Sequence, residues 1–103
     1  MEYKVHFTIR AESDLDRIAD YIANRLLNPS AATALFNELM DKMESLTRNP
    51  AMYEEAKDPL LKARGYRRIL FGNYLALYLV DDIDKVITIT NVFYGKQNYI
   101  DMI

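Results

Sequence analysis

The residues best suited to chemistry in this sequence are basic and phenolic. Gly65-Tyr66-Arg67-Arg68 closes a stretch, 57–68, that carries five Lys/Arg (Lys57, Lys62, Arg64, Arg67, Arg68) against a single acid, Asp58. Tyr94, Lys96 and Tyr99 form a second group further along. Such side chains can cleave RNA without a metal. A base takes the 2′-hydroxyl proton, cations stabilise the crowded phosphate, and an acid protonates the leaving oxygen. Tyrosine and lysine act as bases at neutral pH only where neighbouring cations depress their pKa. The same residues also build binding surfaces, because arginine and tyrosine are favoured at protein interfaces and arginine pairs well with carboxylates. Arg67, Arg68, Tyr94, Lys96 and Tyr99 are therefore the catalytic candidates, and Lys57, Lys62 and Arg64 the candidates for partner binding.

Other chemistries are set aside by what the chain lacks. Its three glycines, Gly65, Gly72 and Gly95, are not spaced to cradle a nucleotide phosphate. One histidine and no cysteine leave no His/Cys metal cluster, no Cys/His nucleophile pair and no disulfide framework. No cofactor or metal is expected. A net charge of −2 and a pI near 5.3 argue against indiscriminate nucleic-acid binding, so any such contact must be local. No apolar run approaches the length of a membrane span, and the expected compartment is the cytoplasm.

The elements that must position these residues can be read from periodicity. Over 103 residues the chain is expected to form a single domain, residues 1–103. Tyr3 to Arg10 alternates, with Tyr3, Val5, Phe7 and Ile9 on one face, as in a half-buried strand; His6 falls on the polar face. Ser13-Asp14-Leu15-Asp16 reads as a helix start. Leu15, Ile18, Ile22 and Leu26 form its apolar stripe, while Asp14, Asp16, Arg17 and Asp20 decorate its exterior. Asn28-Pro29-Ser30 breaks this helix and opens another. The second stripe is Leu35, Leu39, Met43 and Leu46, broadened by Phe36 and Met40, and Asn49-Pro50 stops it. Residues 51–65 read as irregular. Three strands follow, 66–71, 74–80 and 86–94, joined by Gly72-Asn73 and by 81–85. The nearly all-apolar run Tyr74 to Val80 is a central strand covered on both faces. The expected fold is α+β, of order β-α-α-β-β-β: a helical hairpin on a twisted antiparallel sheet, with a short C-terminal tail.

The whole pattern resembles the RelE/ParE superfamily of bacterial type II toxin–antitoxin toxins. The resemblance covers essentially the full chain. It rests on Ala11-Glu12-Ser13-Asp14-Leu15 followed by Ile18, Tyr21 and Ile22, on Asn28-Pro29-Ser30-Ala31-Ala32, and on Leu46 with Asn49-Pro50. It continues through Gly65-Tyr66-Arg67-Arg68, Asn73-Tyr74 with Tyr78, Val80-Asp81-Asp82, and Val92-Phe93-Tyr94-Gly95-Lys96 with Asn98-Tyr99. It implies a growth-arresting toxin held inactive by a cognate antitoxin. RelE-like members cleave mRNA on the ribosome with basic residues of the sheet and C-terminus, whereas ParE-like members poison DNA gyrase.

Carried over position by position, Arg67 matches a basic position of RelE-like toxins and Tyr99 their C-terminal tyrosine. The arginine of their Tyr-Arg-x-x-Tyr pattern is instead Leu75, within Tyr74-Leu75-Ala76-Leu77-Tyr78, and Gly95-Lys96-Gln97 replaces a run ending in arginine. Two missing guanidiniums remove much of the phosphate-stabilising charge. The resemblance therefore favours ParE-like gyrase poisoning over ribosome-dependent mRNA cleavage. A non-toxic peptide-binding module is the third reading.

Overall fold

The computed structural model describes residues 2–95; Lys96, Gln97 and Tyr99 lie outside the described residues. The elements are β1 (Lys4–Phe7), α1 (Ile9–Asp20), a π-helical turn (Tyr21–Arg25), α2 (Pro29–Arg48), α3 (Pro59–Ala63), β2 (Arg67–Phe71), β3 (Tyr74–Asp81) and β4 (Val86–Tyr94). They form one four-stranded sheet of order β1-β4-β3-β2, with the helical hairpin on one face. Among the described residues no helix is long and apolar enough to cross a membrane.

β2, β3 and β4 pair antiparallel as their hairpin connections require, but β1 joins the edge of β4 in parallel, so the sheet is mixed. Two hairpins make β2 and β4 run the same way. The long helical excursion after β1 then lets it take that direction beside β4. Gly72 sits at φ 55° in the first connection, where an added Cβ would stand 2.6 Å from Leu35 Cδ1. The positive φ favours glycine here, and any larger residue would also have to displace the Leu35 side chain.

β3 is the central strand that its composition predicts. On the helical face, Ala76 and Tyr78 pack with Ile69, Phe71, Ile87, Ile89, Val92 and the α2 residues Leu39, Met43 and Leu46. On the opposite face Leu75 and Leu77 pack with Phe93 and with Ala56 and Leu61. Segment 51–65 is thus not wholly irregular. Asp58 caps α3 by accepting from the Leu61 N–H at 3.0 Å, Pro59 opens it, and Glu55 bridges to Arg67 beside β2. Two well-spaced apolar residues, Ala56 and Leu61, suffice to dock this short segment, too few to make a periodic signal.

The first helix departs most from its expected form. It starts at Ile9, not after Ser13: Thr8 is the N-cap, and its Oγ1 accepts from the Ala11 N–H at 3.0 Å. β1 consequently stops at Phe7, and Ile9, expected on the buried face of the strand, is 88% exposed. With this earlier start, Ala11, Asp14, Leu15, Ile18 and Ile22 share the inward face. Leu26 and Met40, assigned to the stripes, are exposed, while Phe36 is half-buried.

Asp14, expected on the exterior, is completely buried. Its Oδ2 accepts the Val92 N–H at 2.9 Å, and its Oδ1 accepts from Arg17 Nη2 at 2.6 Å and Arg10 Nε at 3.1 Å. An unpaired carboxylate would not be tolerated there, since stripping its water costs several kcal/mol. The contact falls just past a bulge in β4. Leu77 pairs with Asn91 and Tyr78 with Ile89, so Thr90 is the extra residue, and its carbonyl accepts from Thr8 Oγ1 at 2.9 Å. The bulge shifts the strand's alternation: Ile87 and Ile89 face the helices before it, Val92 after it. Beyond the end of β1, a side chain of α1 takes over the pairing of the β4 edge.

Asp14→Ala leaves the Val92 N–H without its acceptor and should cost about 2–3 kcal/mol in urea unfolding. Asp14→Asn, whose amide oxygen can still accept from Val92, should cost less.

Candidate functional site

Arg67 and Arg68 leave β2 on opposite faces, as neighbouring strand residues must. Arg67 shares the helical face with Ile69 and Phe71, and its Nη1 donates to the Tyr53 carbonyl at 2.8 Å. Arg68 lies on the other face with its side chain 12% exposed, and its Nη2 contacts Glu54 Oε2 at 2.6 Å. Its backbone N–H also donates to the Glu54 carbonyl at 3.0 Å, while its buried Nε has no partner. Hydrogen bonding and charge from Arg68 hold the Glu54 carboxyl below its usual range. Both guanidiniums therefore staple segment 53–55 to the sheet.

The remaining cations of the cluster behave differently. Lys57, Lys62 and Arg64 are all exposed on the segment that carries α3. The charge cluster seen in the sequence thus divides into two arginines bonded to residues 53–54 and three outward-facing cations.

Tyr94 stands apart from both arginines. The register places Arg67 opposite Tyr78, but Tyr94 opposite Tyr74, four residues away along β3 and so about 13 Å along the strand. The described catalytic candidates do not converge on one point. Lys96 and Tyr99 fall outside the described residues. Among the described residues no cluster of three or more His, Asp or Glu is placed to hold a metal.

Two phenols of β3, Tyr74 and Tyr78, are poor bases. Burial pushes Tyr78 up to about 12, outweighing the opposite pull of the nearby Arg67 charge, and its hydroxyl donates to the Pro50 carbonyl at 3.0 Å. Tyr74 is also raised, first by burial and then by Tyr21 and Tyr94. Leu75, at the position where the RelE-like pattern has arginine, is 2% exposed inside the cluster with Ala56, Leu61 and Phe93.

A well-formed concavity lies elsewhere, between α1, the π-helical turn, the start of α2, the start of β3 and the end of β4. It is an open groove of about 760 Å³ walled by Ile18, Tyr21, Ile22, Leu35, Tyr74 and Tyr94. Tyr74 and Tyr94 meet edge to face, with centroids 5.6 Å apart. Arg17, one of the Asp14 partners, sits on its wall, and Val92, another, also lines it. Tyr94 is the candidate that belongs here. Arg17 and the groove were missed by sequence reasoning, and the signal that reveals them is the Thr8 cap. Starting the helix there turns Asp14 inward and brings Arg17 beside it.

A helical hairpin on a mixed four-stranded sheet, with a groove between them, defines a small α+β fold. Residues 5–99 match the family described as the ParE toxin of type II toxin–antitoxin system, parDE, and the chain belongs to that family, within the RelE/ParE superfamily. Solved structures agree on the fold. The chromosomal ParDE system from P. aeruginosa gives a TM-score of 0.70 at 20% identity, covering 92% of this chain and 98% of that one. A mutant of E. coli RelE in the free state gives 0.68 at 15% identity, covering 99% and 93%. The toxin–antitoxin complex RelBE2 from Mycobacterium tuberculosis gives 0.62 at 24% identity, covering 91% and 99%. No curated protein matches the chain in sequence.

Two outcomes follow from this geometry. Leu75→Arg, which restores the cation of the RelE-like pattern, should lower unfolding stability by about 2–4 kcal/mol, because it drives a charge into a closed apolar cluster. For Tyr78, the folded pKa lies above the unfolded value near 10, so its contribution is complete below pH 10 and is lost as pH rises towards 12. The melting-temperature advantage of wild type over Tyr78→Phe should therefore shrink across that window.

Proposed function

We propose that this toxin arrests growth by ParE-like poisoning of DNA gyrase and does not cleave mRNA. The observation that carries the reading is the commitment of the sheet's arginines. Arg67 and Arg68 are held by Tyr53 and Glu54, and the position of a third cation is the buried Leu75. A phosphate in flight needs several donors aimed at it, and their net effect falls when they already serve protein acceptors. The raised Tyr74 and Tyr78 also lack the depressed pKa that a phenolic base requires. The family match to ParE supports the same reading.

The cognate antitoxin is the second partner in this proposal, as in the complexes formed by the related RelBE2 toxin and by E. coli RelE. Lys57, Lys62 and Arg64 supply an outward-facing basic surface for a partner, and Lys96 and Tyr99, outside the described residues, stay candidates from the sequence.

The test is to induce the chain alone in a bacterial host and then with the product of the neighbouring reading frame. Growth arrest relieved by that product is expected. Purified toxin should trap DNA breaks with gyrase and leave mRNA intact in a translation extract. Codon-dependent mRNA cuts without gyrase-linked breaks would establish the RelE-like activity instead.

A further inference from the structure

We propose that a recess at the end of the helical layer binds one guanine base, held between Arg67 and Asp82. The recess lies where α2 stops at Asn49 and the chain turns through Pro50. Tyr3, ahead of β1, Val80, near the end of β3, and Asp82, just past it, complete the wall with Arg67. Its volume is about 270 Å³, which is below that of drug-sized pockets and suits a single heterocycle. This surface shares no lining residue with the groove, and the inference does not depend on the choice between gyrase and ribosome.

The polar groups of this wall have bonding capacity to spare. Arg67 uses Nη1 on the Tyr53 carbonyl at 2.8 Å, and among the described residues its Nε and Nη2 have no acceptor. Those two nitrogens form one edge of the guanidinium, which takes two adjacent acceptors at once. One such edge is too little for a phosphate under attack but enough to hold a base. Asp82 is exposed; its Oδ1 accepts from the Tyr3 hydroxyl at 2.6 Å, and its Oδ2 has no donor among the described residues. Lys85 Nζ lies 3.4 Å from the Tyr3 oxygen and 5.0 Å from the ring centroid. Tyr3 and Asp82 are thus placed before a ligand arrives, which lowers the ordering cost of binding.

The opposed signs decide the class of ligand. A phosphate or carboxylate would satisfy Arg67 but set a second anion beside Asp82, and an ammonium would satisfy Asp82 but meet Arg67 and Lys85. The wall fits a neutral ligand with paired acceptors on one edge and paired donors on the next. Guanine has that pattern. Its O6 and N7 accept side by side, the pair that arginine reads bidentately, and its N1–H and N2–H₂ donate side by side to a carboxylate. Adenine sets a donor beside N7, which a guanidinium cannot use. Pro50, Val80 and the half-buried Tyr3 supply apolar and aromatic surface for the base to lie against. The spacing permits both contacts. Arg67 pairs with Tyr78, and Asp82 follows four residues later, about 13 Å along the strand direction, which an arginine side chain and a purine together span.

The experiment titrates purified toxin with guanosine, inosine and adenosine monophosphates by calorimetry, with thermal melts to check folding. The guanine nucleotide should bind about tenfold or more tighter than the adenine nucleotide. The inosine nucleotide, which lacks the 2-amino donor, should fall between them. Asp82→Asn, which keeps an acceptor for Tyr3, should weaken guanine binding about tenfold and bring guanosine and inosine nucleotides within about threefold of each other. Arg67→Lys, which loses the two-nitrogen edge, should weaken guanine binding about as much. Should that variant fail to fold, because Arg67 also holds Tyr53, the Asp82 variant decides alone. Equal binding of guanine and adenine nucleotides, or binding of neither, overturns the proposal. So does a folded Asp82→Asn toxin that keeps the full guanine preference. A single-stranded oligothymidylate carrying one guanine separates the two sources of the base. Tighter binding than the free nucleotide assigns the site to a base within a strand, and weaker binding assigns it to the nucleotide itself.

Discussion

The Asp14 carboxylate joins parts of the molecule that sequence separates widely. One oxygen closes the edge of β4 through the Val92 N–H, and the other holds Arg10 and Arg17 on α1. The contact is needed because β1 ends at Phe7 while β4 continues to Tyr94. Past that point the inner edge of β4 has no strand beside it, and a buried backbone N–H without an acceptor is costly. The helix that follows β1 supplies the acceptor from a side chain. A charged carboxylate is a strong acceptor for this purpose, but its own burial requires the two arginines.

The bulge at Thr90 belongs to the same arrangement. Adding one residue to β4 reverses which side chains face the helices, so that Val92 can follow Ile87 and Ile89 into the core. Thr8 both caps α1 and bonds the Thr90 carbonyl, so the helix start and the bulge are fixed to one another. The groove beyond them inherits its shape from this junction. Its wall includes the C-terminal half of β4 and its charge comes from the arginine that Asp14 holds.

The two faces of the sheet divide the basic residues by task. Segment 53–56 crosses the open edge of β2, where Arg67 and Arg68 tie it down from opposite sides and Ala56 and Leu61 seat it on Leu75 and Leu77. Two of the five cations of the cluster, Arg67 and Arg68, are hydrogen-bonded to this segment. On the face away from the helices, the sheet is filled with hydrocarbon at Leu75. The proposed action, a poison that works by binding, rests on that combination.

The amino-acid sequence by itself determined the element order, the Pro29 start of α2, the central β3 and the tight turn at Gly72, because each depends on local periodicity or on a backbone conformation. The resemblance of its motifs also identified the superfamily. Only the tertiary structure decided the start of α1, since Thr8 and Ser13 are both competent caps and the choice depends on where β1 ends beside β4. It likewise decided that Asp14 is buried, because an acid early in a helix looks the same on paper whether it faces water or a strand N–H seventy-eight residues away. The parallel pairing of β1, the docking of 51–65 and the division of Arg67 from Arg68 are of the same kind. Each is set by contacts distant in sequence, which leave no periodic trace in the residues that make them.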